Sequence, residues 1–123
     1  MILFLTKDLM IQSNASSAAR QSGAMIKAIG NLEEAMTMFS EQSDAMLLVD
    51  LQTPGLDVGQ LLERLSAIDA SSRRAIAFAQ HVEVDLIEQA QGAGFEAVMT
   101  RGQFSRNLPG IVKEYATGAQ PGI

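Results

Sequence analysis

The feature that most limits what this chain can fold into is a set of short, uninterrupted apolar runs. Residues 45–49 read AMLLV, and Ile2–Leu5 and residues 75–79 have a similar length and character. A strand with one face in water alternates apolar and polar residues, whereas a strand buried on both faces is apolar throughout. The runs therefore predict strands of a parallel sheet that is covered on both sides.

Segments with helical periodicity separate these runs. Leu32, Ala35, Met36 and Phe39 occupy positions i, i+3, i+4 and i+7, which lie on one face of a helix, and Asn31 is a suitable N-cap before them. Patterns of the same kind predict helices over Leu9–Ser22, over 58–68 behind an N-cap at Asp57, over 82–93, and over a last segment that contains Phe104, Leu108, Ile111, Val112 and Tyr115.

Two further strands are predicted over residues 24–29 and Ala97–Thr100. In the last helix, Pro109 is expected to lie in the first turn, because a proline deeper in a helix removes a hydrogen bond and clashes with the preceding turn.

Five strands thus alternate with five helices through short connections. This order predicts an α/β fold of the doubly wound, flavodoxin-like type: a three-layer (βα)5 sandwich with a five-stranded parallel sheet. We expect one domain over residues 1–117, followed by a flexible tail over 118–123.

Composition excludes several kinds of function. The net charge is −5 and no basic stripe is present, so binding to nucleic acid is not expected. No apolar run approaches the roughly 18 residues that a membrane span needs. With no cysteine and one histidine, disulfides and a metal cluster are not expected, and a cytoplasmic location is compatible with the sequence.

Ligands and chemistry in doubly wound sheets are found outside the carboxyl ends of the strands. The candidate site residues are therefore those at the predicted strand ends. They are Thr6, Lys7, Asp8, Asp50, Gln52, Ala79, His81 and Arg101.

Residues 46–60, MLLVDLQTPGLDVGQ, carry the most informative spacing. An aspartate ends a buried strand, a proline follows four residues later, and an acidic residue opens the next helix. In these features the chain resembles the receiver (CheY-like) domain of bacterial response regulators. The resemblance places Asp50 at the phosphoacceptor position, with Pro54 and Asp57 behind it.

A second segment, residues 93–102, is similar to the part of a receiver that ends in lysine and proline, with Arg101 and Gly102 in those two places. Other positions depart from the receiver pattern. Receivers have two acidic residues after the first strand, a threonine or serine after the fourth, and often an aromatic residue in the fifth. The corresponding residues here are Thr6 and Lys7, Ala79, and Val98.

These departures predict a degenerate receiver, or pseudo-receiver. Mg²⁺ is not expected, because a lysine stands where a metal-binding carboxylate would be. We expect Lys7, with Arg101 nearby, to form an ion pair with Asp50 and replace the cation, so that Asp50 stays unphosphorylated. A Lys7 side chain that points to solvent is the alternative.

The resemblance implies a stand-alone receiver-like domain in two-component (phosphorelay) signal transduction. We expect a module that binds a protein partner or a second copy, without phosphorylation, enzymatic activity or cofactor. Its binding face would comprise the fourth helix, fifth strand and fifth helix, with Glu83, Glu88, Gln91, Arg106 and Lys113. The alternative is a flavodoxin-like small-ligand binder or enzyme that uses a crevice at Asp50, Lys7 and His81.

Overall fold

The computed structural model describes residues 1–68 and 74–118. Strands and helices alternate throughout, as the sequence predicts. The strands are β1 (Ile2–Leu5), β2 (Ile26–Ile29), β3 (Met46–Asp50), β4 (Arg74–Ala79) and β5 (Ala97–Thr100). The helices are α1 (Leu9–Ser22), α2 (Leu32–Glu41), α3 (Val58–Ser66), α4 (Val84–Ala90) and α5 (Arg101–Ala116).

All strand pairs are parallel, and the strand order in the sheet is β2-β1-β3-β4-β5. Strands β1 and β3 are buried along their whole length, which explains why all their residues except Asp50 are apolar. Strand β2 is an edge strand and is partly exposed, so its sequence contains Lys27. The predicted flavodoxin-like α/β fold is confirmed.

Each buried strand supplies two separate cores, because successive side chains point to opposite faces of a sheet. In β3, Met46 and Leu48 pack with α1 and α5 on one face. Leu47 and Val49 pack with α2, α3 and α4 on the other. We call the first the α1/α5 face and the second the α2/α3/α4 face.

Three phenylalanine rings fill the α1/α5 face below the carboxyl ends of the strands. The Phe78 and Phe104 rings are stacked with centroids 4.2 Å apart, and Phe4 contacts both rings at 6.1 and 5.9 Å. All three are fully buried. Such ring contacts add to the free energy gained by burial, and they fix the start of α5 against the sheet.

Side-chain caps fix where most of the helices begin. Asn31 and Asp57 cap α2 and α3, as predicted, by accepting hydrogen bonds from backbone N–H groups. Asp8 caps α1 in the same way, and Thr100 forms a capping box with Gln103 at the start of α5.

The prediction that Pro109 lies in the first turn of the last helix is wrong. Helix α5 begins at Arg101, so the proline is its ninth residue. The Thr100 capping box sets the start of the helix, and the apolar residues on both sides of the proline hold its continuation against the sheet. These are Phe104, Leu108, Ile111 and Val112.

Several predicted boundaries also change. Helix α4 covers Val84–Ala90 rather than 82–93, and Gly92 and Gly94 follow it with positive φ of 84° and 103°. Strand β2 covers Ile26–Ile29 rather than 24–29. Of the predicted tail, residues 119–123 lie outside the described residues. None of the helices in the described part of the chain has the length and apolar character needed to cross a membrane.

Candidate functional site

The carboxyl ends of β1 and β3 and the start of α5 surround a small cleft. Asp50, the last residue of β3, lies at its base and is 5% exposed. The cleft has a volume of about 350 Å³. It is lined by five of the predicted site residues together with Pro54 and Gln80. The five are Lys7, Asp8, Asp50, Gln52 and Arg101.

Both carboxylate oxygens of Asp50 accept hydrogen bonds. The hydroxyl of Thr6 donates to Oδ2 at 3.0 Å, and the backbone N–H of Gln52 donates to Oδ1 at 3.0 Å. Thr6 is buried, and its hydroxyl also accepts from the N–H of Asp8 at 3.1 Å. Asp50 is thus held by neutral donors from its own loop and from the end of β1.

The predicted ion pair between Lys7 and Asp50 is not formed in the described structure. The Lys7 ammonium donates instead to the carbonyl of Pro54 at 3.1 Å. The lysine stem passes over Gly30, where a Cβ atom would lie 3.5 Å from Lys7 Cε. Lys7 therefore closes the outer side of the cleft and remains exposed.

The pleat of the strands explains this difference. Ile2 pairs with Met46 in the register of β1 and β3, so Thr6 follows β1 opposite Asp50. The Thr6 and Asp50 side chains point to the α1/α5 face, like every second residue before them in β1 and β3. Lys7 points to the α2/α3/α4 face and reaches the loops before α2 and α3. The alternation of side chains between the two faces can be read from the sequence, and it would have favoured Thr6 over Lys7 as the partner of Asp50.

The ion pair of the site joins Arg101 to Asp8. Nη2 of Arg101 contacts Oδ2 of Asp8, while Oδ1 of Asp8 accepts from the N–H groups of Met10 and Ile11 at 3.0 and 3.2 Å. These bonds lower the pKa of Asp8, the N–H of Ile11 having the largest effect and Arg101 the next. The pair connects the first turns of α1 and α5.

Two other contacts position Arg101 and the floor of the cleft. The guanidinium carbon of Arg101 lies 5.9 Å from the centroid of the Phe78 ring, a cation–π distance. The side-chain oxygen of Gln52 accepts from the N–H of Gln80 at 2.7 Å and so joins the loops after β3 and β4. Ala79 is fully buried at the end of β4 and brings no hydroxyl to the site.

His81 is exposed and does not line the Asp50 cleft. It lines a neighbouring, larger cleft of about 750 Å³ between the loop after β4 and the start of α5. Arg101 and Gln80 border both clefts. The crevice predicted to combine Asp50, Lys7 and His81 is therefore divided between two depressions.

The residues at Asp50 do not fit Mg²⁺. This ion prefers octahedral oxygen coordination that includes one or two carboxylates. Here both oxygens of Asp50 accept from Thr6 and Gln52, and both oxygens of Asp8 are taken by α1 and Arg101. The described residues contain no group of three histidine, aspartate or glutamate side chains that could hold a metal. Two cationic side chains line the cleft.

No protein-family model and no curated protein matches the sequence. Solved structures do match the fold. A response-regulator receiver domain from Rhodospirillum rubrum has 14% identity and a TM-score of 0.72, covering 94% of this chain and 93% of that chain. The receiver domain of the sensor histidine kinase PA1611 from Pseudomonas aeruginosa PAO1 has 19% identity and a TM-score of 0.73, covering 94% and 96%. That domain was solved with a magnesium ion coordinated in its active-site cleft.

The beryllofluoride-activated NtrC4 receiver domain dimer is similar at 18% identity and a TM-score of 0.70, covering 93% of this chain and 97% of that chain. At such identities the likeness concerns the fold. This chain has the fold of response-regulator receiver domains, and Asp50 is the last residue of β3.

Proposed function

We propose that this chain is a receiver-like domain of two-component signalling that acts in the cytoplasm through protein contacts, without phosphorylation of Asp50 and without enzymatic activity. The observation that supports the proposal is the Arg101–Asp8 ion pair. It neutralises the second carboxylate that lines the Asp50 cleft and engages its Oδ2, while Oδ1 accepts from the N–H groups of Met10 and Ile11.

Formation of an acyl phosphate on an aspartate needs a cation that screens the incoming phosphoryl charge. The cleft has two side-chain cations, but Arg101 is directed to Asp8 and Lys7 to the Pro54 carbonyl. Neither forms an ion pair or a hydrogen bond with Asp50 in the described part of the chain. The site therefore lacks both a metal-binding carboxylate pair and a cation aimed at the acceptor oxygens.

The elements that would respond to phosphorylation are changed as well. Ala79 has no hydroxyl that could follow a phosphoryl group, and Val98 in β5 has no ring that could change its rotamer. A modification acts as a switch only when it favours one of two states of such an element. We therefore infer a module with one constitutive binding state.

The test is incubation of the purified chain with acetyl phosphate and Mg²⁺, followed by intact-mass spectrometry. We expect no mass gain of one phosphoryl group. The matched variant Thr6→Asp/Lys7→Asp returns acidic residues to both positions after β1 and is expected to gain Mg²⁺-dependent thermal stability that the parent chain lacks. Phosphorylation of the parent chain at Asp50 would disprove the proposal.

The proposed binding face comprises α4, β5 and α5. Its predicted residues Glu83, Glu88, Gln91, Arg106 and Lys113 are all exposed. Val82 and Val84 add apolar surface at 66% and 54% exposure. A mixture of exposed apolar and charged side chains is typical of protein interfaces. Because NtrC4 forms a receiver dimer, a second copy of this chain is one possible partner.

A further inference from the structure

The larger cleft next to the Asp50 site offers a binding chemistry beyond the proposed protein contacts, although Val82 and Arg106 belong to both surfaces. Its volume of about 750 Å³ is within the range of roughly 300–1,000 Å³ typical of small-molecule sites. It lies between the loop after β4 and the first two turns of α5. Its lining includes His81, Val82, Arg101, Gly102, Ser105 and Arg106.

The polar groups of this cleft are suited to an anion. Arg101 and Arg106 both line the cleft, Arg101 being paired with Asp8, and no acidic residue is among the lining residues. Arg106 forms no ion pair with any acid in residues 1–68 and 74–118. Lys7, Arg20 and Lys113 also form no ion pair there, so what distinguishes Arg106 is its place beside Arg101 in one cleft.

The position of Arg106 supports the same conclusion. Its Nη1 lies 3.6 Å from the point that a Cβ atom on Gly102 would occupy, so the guanidinium is folded over the first turn of α5. The first N–H groups of a helix have no intrahelical acceptor and favour negative charge. Arg106 and the backbone at Gly102 thus lie together at the first turn of α5, where Thr100 already accepts from the N–H of Gln103, and Ser105 also lines the cleft.

We infer that this cleft binds a small phosphomonoester. The phosphoryl oxygens would be bound by Arg106 and the start of α5, since a guanidinium matches phosphate with two parallel hydrogen bonds. The exposed Val82 side chain offers an apolar contact for the organic part of the ligand. Asp50 takes no part in this site, so the inference is independent of whether Asp50 is phosphorylated.

The experiment is a titration followed by two-dimensional amide NMR, with phenyl phosphate as the probe and inorganic phosphate as the comparison. We expect saturable shifts at Gly102, Ser105 and Arg106, and tighter binding of phenyl phosphate. Arg106→Gln should weaken binding roughly five- to ten-fold. Because Arg106 is exposed, we expect the Arg106→Gln variant to fold like the parent chain, and the same spectra check this.

Two matched variants remove a positive charge elsewhere. Arg20→Gln changes a residue of α1 that does not line the larger cleft, and Lys7→Gln removes a cation of the Asp50 cleft. Both should bind phenyl phosphate as the parent chain does. An equal loss in Arg20→Gln would mean general charge attraction, and a loss in Lys7→Gln alone would place the anion beside Asp50. Either of these two results would overturn the inference. Equal affinity for phenyl phosphate and inorganic phosphate, or the absence of saturable shifts, would overturn it as well.

Discussion

At the scale of single residues, the direction of each side chain decides what this site can do. Thr6 and Asp50 follow strands in register and point to the same face, so a hydroxyl rather than an ammonium meets the carboxylate. Asp8, one position beyond the two receiver positions, has become the partner of Arg101. The charges expected from the sequence are present, but Arg101 pairs with Asp8 and Lys7 donates to the Pro54 carbonyl, so neither cation pairs with Asp50.

Asp8 has two roles that can be separated by substitution. Asparagine caps helices about as well as aspartate, so Asp8→Asn should keep the bonds to Met10 and Ile11 and lose only the charge that faces Arg101. Asp8→Ala should lose both. We expect urea midpoints in the order parent, Asp8→Asn, Asp8→Ala at neutral pH. Equal midpoints for the two variants would show that the cap contributes nothing.

The same comparison has a defined pH dependence. The pKa of Asp8 is lowered in the folded state, so its ionised form adds stability above the ordinary value of 3.8. That contribution disappears as the pH falls from 3.8 through the lowered pKa. The difference in urea midpoint between the parent chain and Asp8→Asn should therefore shrink in this range and be constant at higher pH. A difference that grows on acidification would contradict the assignment.

At the scale of elements, α5 is the least conventional part of the fold. It includes a proline as its ninth residue and a glycine after it, both exposed. Pro109 cannot donate to the carbonyl of Ser105, and its ring crowds that carbonyl. The helix nevertheless stays continuous, because its first turn is capped by Thr100 and its inner face is buried against the sheet.

Replacing Pro109 with alanine should stabilise the chain. The substitution restores a helix hydrogen bond, although it also gives the unfolded chain more freedom, so we expect a net gain of about 1–2 kcal/mol. Gly110→Ala is the matched control, since a Cβ atom there meets nothing within 4 Å. It should gain about 0.5–1 kcal/mol. Urea unfolding measures both. A loss of stability in Pro109→Ala would indicate that the proline makes favourable contacts.

The strands and helices left clearer signals in the sequence than the contacts of the site did. The apolar runs and helix caps identified every strand and helix, because burial on both faces and N-capping leave local signals such as Asn31 and Asp57. The start of α5 was missed because Thr100 ends a strand and caps a helix at once. The partners of Lys7 and Arg101 were missed because they depend on the register between distant strands and helices.

At the scale of the whole molecule, the two ends of the sheet are held by separate polar groups. The carboxyl end contains the Asp50 cleft. Near the amino end, Arg74 donates two hydrogen bonds to Glu96 at 2.8 Å and pairs with Glu114 at 3.3 Å. These contacts raise the pKa of Arg74, chiefly through its bonds to Glu96. They join β4, the residue before β5, and α5 far from the site.

This separation predicts that substitutions at the two ends act independently. Thr6→Val removes a donor from the buried Asp50 carboxylate and should cost about 1–3 kcal/mol, and Arg74→Met should cost about 1–2 kcal/mol. Arg74 lies four residues before Phe78, the β4 partner of Asp50, a separation of roughly 13 Å along the strand. The double variant should therefore show the sum of the two losses within about 0.5 kcal/mol in urea unfolding.

Asp50→Asn provides the contrasting case, because Asp50 and Thr6 are in direct contact. Combined with Thr6→Val, it should lose less stability than the sum of the single variants, since each removes the same hydrogen bond to the carboxylate. Combined with Arg74→Met, it should again be additive. Coupling between Asp50 and Arg74 as strong as that between Asp50 and Thr6 would mean that the two ends of the sheet respond as one unit, which would contradict the picture of a site held by local contacts alone.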